Sequence, residues 1–286
     1  MEQVLQVLIS GILSGGIYAL ASVGLALIFG VVGLVNFAHG EYLMLAMYIA
    51  YWIYNFSGLD PYQSLIINLA VMAVIGYITF KVIMERVLDS DHSIQMLLTL
   101  ALSMVLQNLA LMFWKADYRN IRIDMTNDTM NLGFLTFNTP RVLAFLIAIG
   151  ASVLLYLYLQ KTFTGAAMRA ISQNGKAAQL MGINIKRTYG LAFVIGTTLV
   201  GLAGLLISPI YPAYPTVGAS FSTLAFIVVV LGGLSSVPGA IFGGLVIGVV
   251  ESLAGYFAGP AYQQAAYFLL FILVLVFKPN GLFGRS

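Results

Sequence analysis

The sequence predicts an all-α, polytopic membrane helical bundle of about eight or nine transmembrane or re-entrant helices. Three observations predict it. Hydrophobic residues make up 60% of the 286 residues and charged residues only 8%, against about 25% charged in a soluble domain. So few charges cannot cover a globular surface, whereas lipid tails solvate apolar side chains. Finally, the apolar residues come in runs long enough to cross a bilayer, about 20 residues each.

The first run extends from Val4 to about Gly33 and is glycine-rich and uncharged. Glu2 and no Lys or Arg precede it, whereas a cleaved secretory signal wants a basic start, so this helix is expected to be retained. The segment Asn36-Phe37-Ala38-His39-Gly40-Glu41 interrupts the hydrophobicity, and a second run covers Tyr42 to Phe56. Ser57-Gly58-Leu59-Asp60-Pro61 reads as a turn. Further spans are expected over 62–80, 94–114 and 142–160, separated by a polar stretch at 81–93 and a mixed-charge loop at 115–140. A sixth span covers 189–208, and Pro209, Pro212 and Pro215 then break the chain. Runs follow at 221–234, 240–257 and 262–277, with Ser235-Ser236-Val237-Pro238-Gly239 between the first two. The runs at 221–234 and 240–257 are short enough to be either two crossings or a re-entrant pair.

The segment 161–187 carries Lys161, Arg169, Lys176, Lys186 and Arg187 and no acid. Lys and Arg favour the cytoplasmic side, so this segment, the stretch 81–93 and the tail with Lys278 and Arg285 are expected inside. The loop 115–140 and the N-terminus are then expected outside. Within 164–187 a short amphipathic helix is plausible, with Gly182 placed to end it. Gly175-Lys176 is not a phosphate loop, because that motif needs Gly at 170 and Ser or Thr at 177, and both are alanine. The chain has no cysteine, which excludes disulfides and thiolate metal sites. A net charge of +3 does not suggest nucleic acid, and no metal-ligand cluster or nucleophile–base pair is evident.

Small residues recur at fourfold spacing as Gly11, Gly15, Ala19 and as Ala240, Gly244, Gly248, Ser252. Such a stripe lets helices approach closely, in ordinary bundle packing or at a subunit interface or pore. There is also an echo: Gly33-Leu34 and Gly233-Leu234 each precede a polar break, and each break leads into a run with one acid, Glu41 or Glu251. Related halves with broken helices are a transporter feature.

Ionisable groups are costly at membrane depth and tend to face a cavity or a partner. His39, Glu41 and Glu251 are the candidates. Two readings of 36–41 stay open. One is a deep segment lining a solute pathway. The other is a cytoplasmic turn in which Asn36 caps the second helix and the acid sits near its N-terminus. Asn36, His39, Glu41, Ser235, Ser236 and Glu251 form the candidate pathway set.

Several separated motifs, NFAHGEYLML at 36–45, TGAAMRAISQN at 164–174, KAAQLMGIN at 176–184 and VLGGLSSVPGAIFGGLVIGVVE at 230–251, together with GGIYALASVGLALIFG at 15–30 and KPNGLFGR at 278–285, resemble the branched-chain amino acid ABC transporter permease family of LivH type. The resemblance covers nearly the whole chain and is weakest over 115–140. It implies one transmembrane permease domain over 1–286 in a bacterial or archaeal inner membrane, importing branched-chain or other hydrophobic amino acids by alternating access. It implies a second related permease, two cytoplasmic ATPase subunits that carry ATP and Mg, and an extracytoplasmic solute-binding protein. The family's ATPase-contacting segment falls on the cytoplasmic coupling loop 161–188, here Gly165, Arg169, Asn174, Gly175, Lys176, Ala177, Ala178, Met181 and Gly182. Thr164-Gly165-Ala166 departs from the Gly-Arg pair usual there. This chain is then a transport subunit and not an enzyme. Two other readings stand beside it: a related importer of urea or short amides, and a stand-alone channel or proton-coupled carrier using Glu41 and Glu251.

Overall fold

A computed structural model describes residues 2–123, 128–132 and 135–283; Arg285 of the tail lies outside them. Its elements, in order, are the helices α1 (Glu2–Val32), α2 (His39–Ser57), α3 (Leu65–Val82) and α4 (His92–Trp114), a hairpin of β1 (Thr129–Leu132) and β2 (Leu135–Asn138), then α5 (Thr139–Lys161), α6 (Phe163–Leu180), α7 (Ile185–Ile207), α8 (Val217–Gly232), α9 (Val237–Phe257) and α10 (Gln263–Phe277). Seven of the described helices are long and apolar enough to cross a membrane. α2 and the 16-residue α8 add two more apolar elements, so the expectation of eight or nine spans fits. The antiparallel hairpin, with Thr129 opposite Asn138, lies in the loop that the sequence left without structure.

α1 and α7 are enclosed by the rest of the chain, whereas α3, α4, α5 and α10 expose most of their surface. α1 packs tightly on α9 because glycines stand where their backbones cross. A Cβ on Gly11 would sit 2.8 Å from the carbonyl oxygen of Gly248, and one on Gly248 2.4 Å from that of Gly11; one on Gly15 would sit 2.8 Å from the carbonyl oxygen of Gly244, and one on Gly244 2.4 Å from the amide nitrogen of Ala19. The two small-residue stripes therefore pack on each other. They form a seam between α1 and α9, the ordinary packing alternative, and neither is left over for a pore or a subunit interface. In lipid, where apolar burial drives little, such close contact is what holds helices together.

The bundle has two ends. At one end α6 packs beneath α1 and α5, Gly30 touches Ser235 of the α8–α9 turn, and the amide of Leu282 donates to the carbonyl of Leu231. At the opposite end the Tyr62 hydroxyl donates to the carbonyl of Pro140, Arg119 and Ala213 exchange backbone hydrogen bonds, and Gln6 binds the backbone of Thr136.

The internal echo takes a different form from the one the sequence suggests. Gly33 and Gly233 both adopt positive φ, +75° and +104°, and each ends a helix. The breaks then diverge. Gly233 turns straight into α9, with the backbones of Gly232 and Gly239 in contact, whereas the chain after Gly33 runs back along α1 before α2 begins. The element that matches the α1–α2 break is the α7–α8 break. Gly24 of α1 meets Gly196 of α7 reciprocally, and Gly40, second residue of α2, meets Gly218, second residue of α8, in the same reciprocal way. The α1–α9 seam has its counterpart between α7 and α3, where Gly76 abuts Thr197 and Gly201 abuts Met72. Elements α1 to α4 thus correspond to α7 to α10, antiparallel, about a pseudo-two-fold axis across the bundle. Inverted halves with broken helices at their junction are a known transporter plan.

Candidate functional site

The junction on that axis carries the buried polar residues. After Val32 the chain is non-helical over 33–38, and the side-chain oxygen of Asn36 accepts from the amide of Ala38 at 3.1 Å. Ala38, and not Asn36, is the residue at the α2 N-cap. α2 starts at His39, three residues earlier than the apolar run indicates, because Gly40 and Glu41 are helical despite their low hydropathy. The His39 ring bonds the carbonyl of Ala21 at 2.9 Å. A carbonyl only accepts, so Nε2 carries the proton and Nδ1 is left as an acceptor.

Depth follows from these anchors. Ala21 lies three turns short of the end of α1 at Val32, about 16 Å at 1.5 Å per residue. Glu41 Oε1 accepts from the hydroxyl of Ser103 at 3.1 Å, and Ser103 is the central residue of α4. The rings of Tyr18, near the middle of α1, and Phe221 of α8 have centroids 6.4 Å apart. The segment 36–41 and the start of α8 therefore lie midway along the spanning helices, and the reading of 36–41 as a surface turn is set aside.

Asn36, His39 and Glu41 are each 2% exposed or less. Asn36 Nδ2, His39 Nδ1 and Glu41 Oε2 have no hydrogen-bond partner among the described residues. Oε2 faces the first turn of α8: a Cβ on Gly218 would stand 2.4 Å from it. The amide of Gly40 donates to the Ser222 hydroxyl at 2.8 Å, and that hydroxyl donates to the carbonyl of Phe37 at 3.3 Å. Two helix N-termini thus converge around one carboxylate, and both carry the partial positive charge that favours an anion. One donor and two acceptors remain without partners in a space closed to solvent. Such a junction can exchange internal hydrogen bonds for those of a zwitterionic solute. Ser103 and Ser222 are participants that the sequence did not single out.

The other expected pathway residues lie elsewhere. Ser236 caps α9, its hydroxyl accepting from the amide of Gly239 at 3.0 Å. Ser235 borders a small cavity of about 60 Å³ at the α6 end, shared with Arg169 and Ser172. Glu251, half-buried on α9, neighbours the hydroxyls of Tyr18 and Tyr267. The six residues do not form one cluster: three gather at the mid-bundle junction, two at the α6 end, and Glu251 stands apart beside Tyr18.

α6 is two helices joined at Asn174, whose φ of −156° and ψ of 97° break the regular path. The Asn174 side chain accepts from the amide of Ala177 at 3.0 Å and so starts a new helix. Gly182, at φ +84°, ends it. Its amide bonds the carbonyl of Gln179, and the amide of Ile183 bonds that of Ala178, the paired C-terminal arrangement that glycine favours. Asn174, Lys176, Ala177, Met181 and Gly182 are exposed, and Arg169 and Gly175 partly so. Gly165 and Ala178 are buried; a Cβ on Gly165 would lie 2.5 Å from two backbone oxygens of α5. These two shape the helix and offer no surface to a partner. Leu180, absent from the expected set, is 89% exposed beside Met181 at 83%.

Among the described residues no group of three or more His, Asp or Glu side chains is placed to hold a metal ion. No solved structure matches the chain. The chain is 30% identical to the high-affinity branched-chain amino acid transport system permease protein BraD of Pseudomonas aeruginosa, over 98% of this chain and 96% of the relative. It is 30% identical to the permease protein LivH of Escherichia coli K12, again over 98% and 96%. It is 29% identical to a probable LivH of Methanocaldococcus jannaschii, over 97% and 92%. These relatives are transport subunits and not enzymes. Residues 7–277 match the family described as the branched-chain amino acid transport system permease component, and the chain belongs to that family.

Proposed function

We propose that the chain is the transmembrane permease of an ATP-driven importer for branched-chain or other hydrophobic amino acids, working by alternating access. The observation that carries this reading is the pair of helix starts, those of α2 and α8, meeting mid-bundle at Glu41, on the axis between two inverted halves. Rocking one half against the other exposes such a junction to either side in turn. Glu41 Oε2 suits the α-ammonium of an amino acid, and the N-terminal turn of α8 suits its carboxylate. Asn36 and His39 position the start of α2, and the apolar walls accept an aliphatic side chain.

The same reading assigns the partners. A second related permease completes the pathway, an extracytoplasmic solute-binding protein delivers the solute, and two cytoplasmic ATPases bind ATP and Mg. The loop 161–188 docks on an ATPase through the capped helix 175–180, with Leu180 and Met181 as its apolar knob. The positive-inside tendency supports the α6 end inside, with Lys161, Arg169, Lys176, Lys186, Arg187 and Lys278. The N-terminus and the loop 115–140 then lie outside. The urea or short-amide reading and the stand-alone carrier reading draw no support from the relatives named above. Purification in mild detergent from the native membrane tests the assembly: recovery of two ATPases and a second permease is the expected result. Recovery of this chain alone, with solute flux in liposomes, overturns it.

A further inference from the structure

α8 is apolar and buried along most of its length, yet its first two turns carry an exposed hydroxyl face. Thr216, Ser220 and Thr223 fall at spacings of four and three, which places them on one side of the helix, and all three are exposed. Exposed surface at the middle of the other outer helices is different in kind: on α10 it is Leu269, Ile272 and Leu273, which lipid solvates. Thr223 gives its hydroxyl proton to the carbonyl of Ala219 at 3.0 Å. The side chains of Thr216 and Ser220 make no hydrogen bond among the described residues. A hydroxyl left without a partner at this depth is satisfied by water, protein or solute and not by lipid. The position beside Phe37, which is 39% exposed, and one turn from the Gly40–Ser222 bond puts this face next to the Glu41 junction.

We infer that this face of α8 lines the aqueous solute path at mid-bilayer and that Ser220 contacts the passing solute. Resting on the importer reading, this names a contact outside the candidate residues of that reading. Ser220 Oγ donates to a carboxylate beside the positive N-terminal end of α8, and the Phe37 ring meets an aliphatic side chain. The chemical class is thus a small carboxylate with an apolar substituent.

The absence of cysteine from the chain makes the test direct. Ser220→Cys is placed in the assembled importer and treated with a charged, membrane-impermeant thiosulfonate. Thr223→Cys supplies a second position, and Ile272→Cys, 56% exposed as the isoleucine, is the lipid-facing control. The expected result is labelling of position 220 or 223 in the nucleotide-free or the vanadate-trapped state, with no labelling at 272. With leucine at about ten times its Kd, the free fraction and hence the labelling rate falls about tenfold. No labelling at either position in either state, or labelling that leucine does not slow, overturns the inference. Leucine uptake by the complex with the unaltered chain is measured first. Its absence removes the importer reading and this inference with it, whereas uptake with unlabelled thiols removes this inference alone.

Discussion

In the proposed function, Glu41 is the residue on which solute recognition turns. Its Oε1 is held by Ser103 and its Oε2 has no partner, so replacing the carboxylate by an amide keeps the shape and the Ser103 bond while removing the charge. A hydrogen bond to a charged group is worth about 1.5–3 kcal/mol, so Glu41→Gln is expected to lower leucine uptake about ten- to hundredfold with the complex still assembled. Uptake within twofold of the unaltered chain contradicts the role. Glu251→Gln, by contrast, alters a group away from the junction, and uptake is expected to stay unchanged. Gly40→Val is a packing test: its Cβ would lie 2.0 Å from the carbonyl oxygen of Gly218, and neither backbone can yield. Overpacking costs about 1–3 kcal/mol or more, seen as a lower melting temperature in detergent. Glu41 was legible in the sequence because a charge within apolar runs is rare. Ser103 and Ser222 were not, because a hydroxyl in a helix commonly bonds its own preceding carbonyl, as Ser22 and Ser152 do. Only the meeting of α2, α4 and α8 shows these two to be different.

At the scale of elements, the helix ends explain most of what the sequence read well and what it read less well. Gly58 and Gly182 end their helices with positive φ, as glycine after an apolar or amphipathic run suggests. The start of α2 was misplaced by three residues because hydropathy treats His39 and Glu41 as a break, although both are helical and buried. The resemblance places a coupling helix around Lys176–Gly182, but the cap at Asn174 that divides α6 was not singled out, since nothing in ISQNGK distinguishes an internal cap from a polar surface turn. Asn174→Ala removes that cap at a cost of about 1 kcal/mol, and partial loss of ATPase co-purification is expected. Met181→Asp, with Leu180→Asp, places charge on the exposed knob. Loss of the ATPases from the purified complex, with normal amounts of the permease in the membrane, is the expected result; full retention places the docking surface elsewhere.

The whole molecule is two inverted halves meeting at a glycine-lined axis, with α5, α6 and the β1–β2 hairpin as additions between them. The sequence showed the bundle, its membrane setting and its family, because composition and run length report directly on the solvent. It did not show the two-fold relation, which rests on Gly24 with Gly196 and Gly40 with Gly218. These pairs are distant in the chain, and a helical glycine gives no sign of its partner. The faint likeness of Gly33-Leu34 to Gly233-Leu234 pointed to the wrong break, since similar helix endings serve different onward paths. Orientation is open to the same cysteine approach. Tyr118→Cys in the loop 115–140 is expected to react with an impermeant thiol reagent in intact cells, and Lys176→Cys only after the membrane is opened; the reverse pattern inverts the topology.

The most direct measurement is labelled-leucine uptake into proteoliposomes containing the chain, first alone and then with the ATPases, second permease and solute-binding protein recovered beside it. Uptake that requires the partners and ATP, and that Glu41→Gln largely abolishes, is the expected result. Leucine flux through the chain alone, indifferent to ATP, would contradict the importer reading and return Glu41 and Glu251 to the role of a carrier's relay.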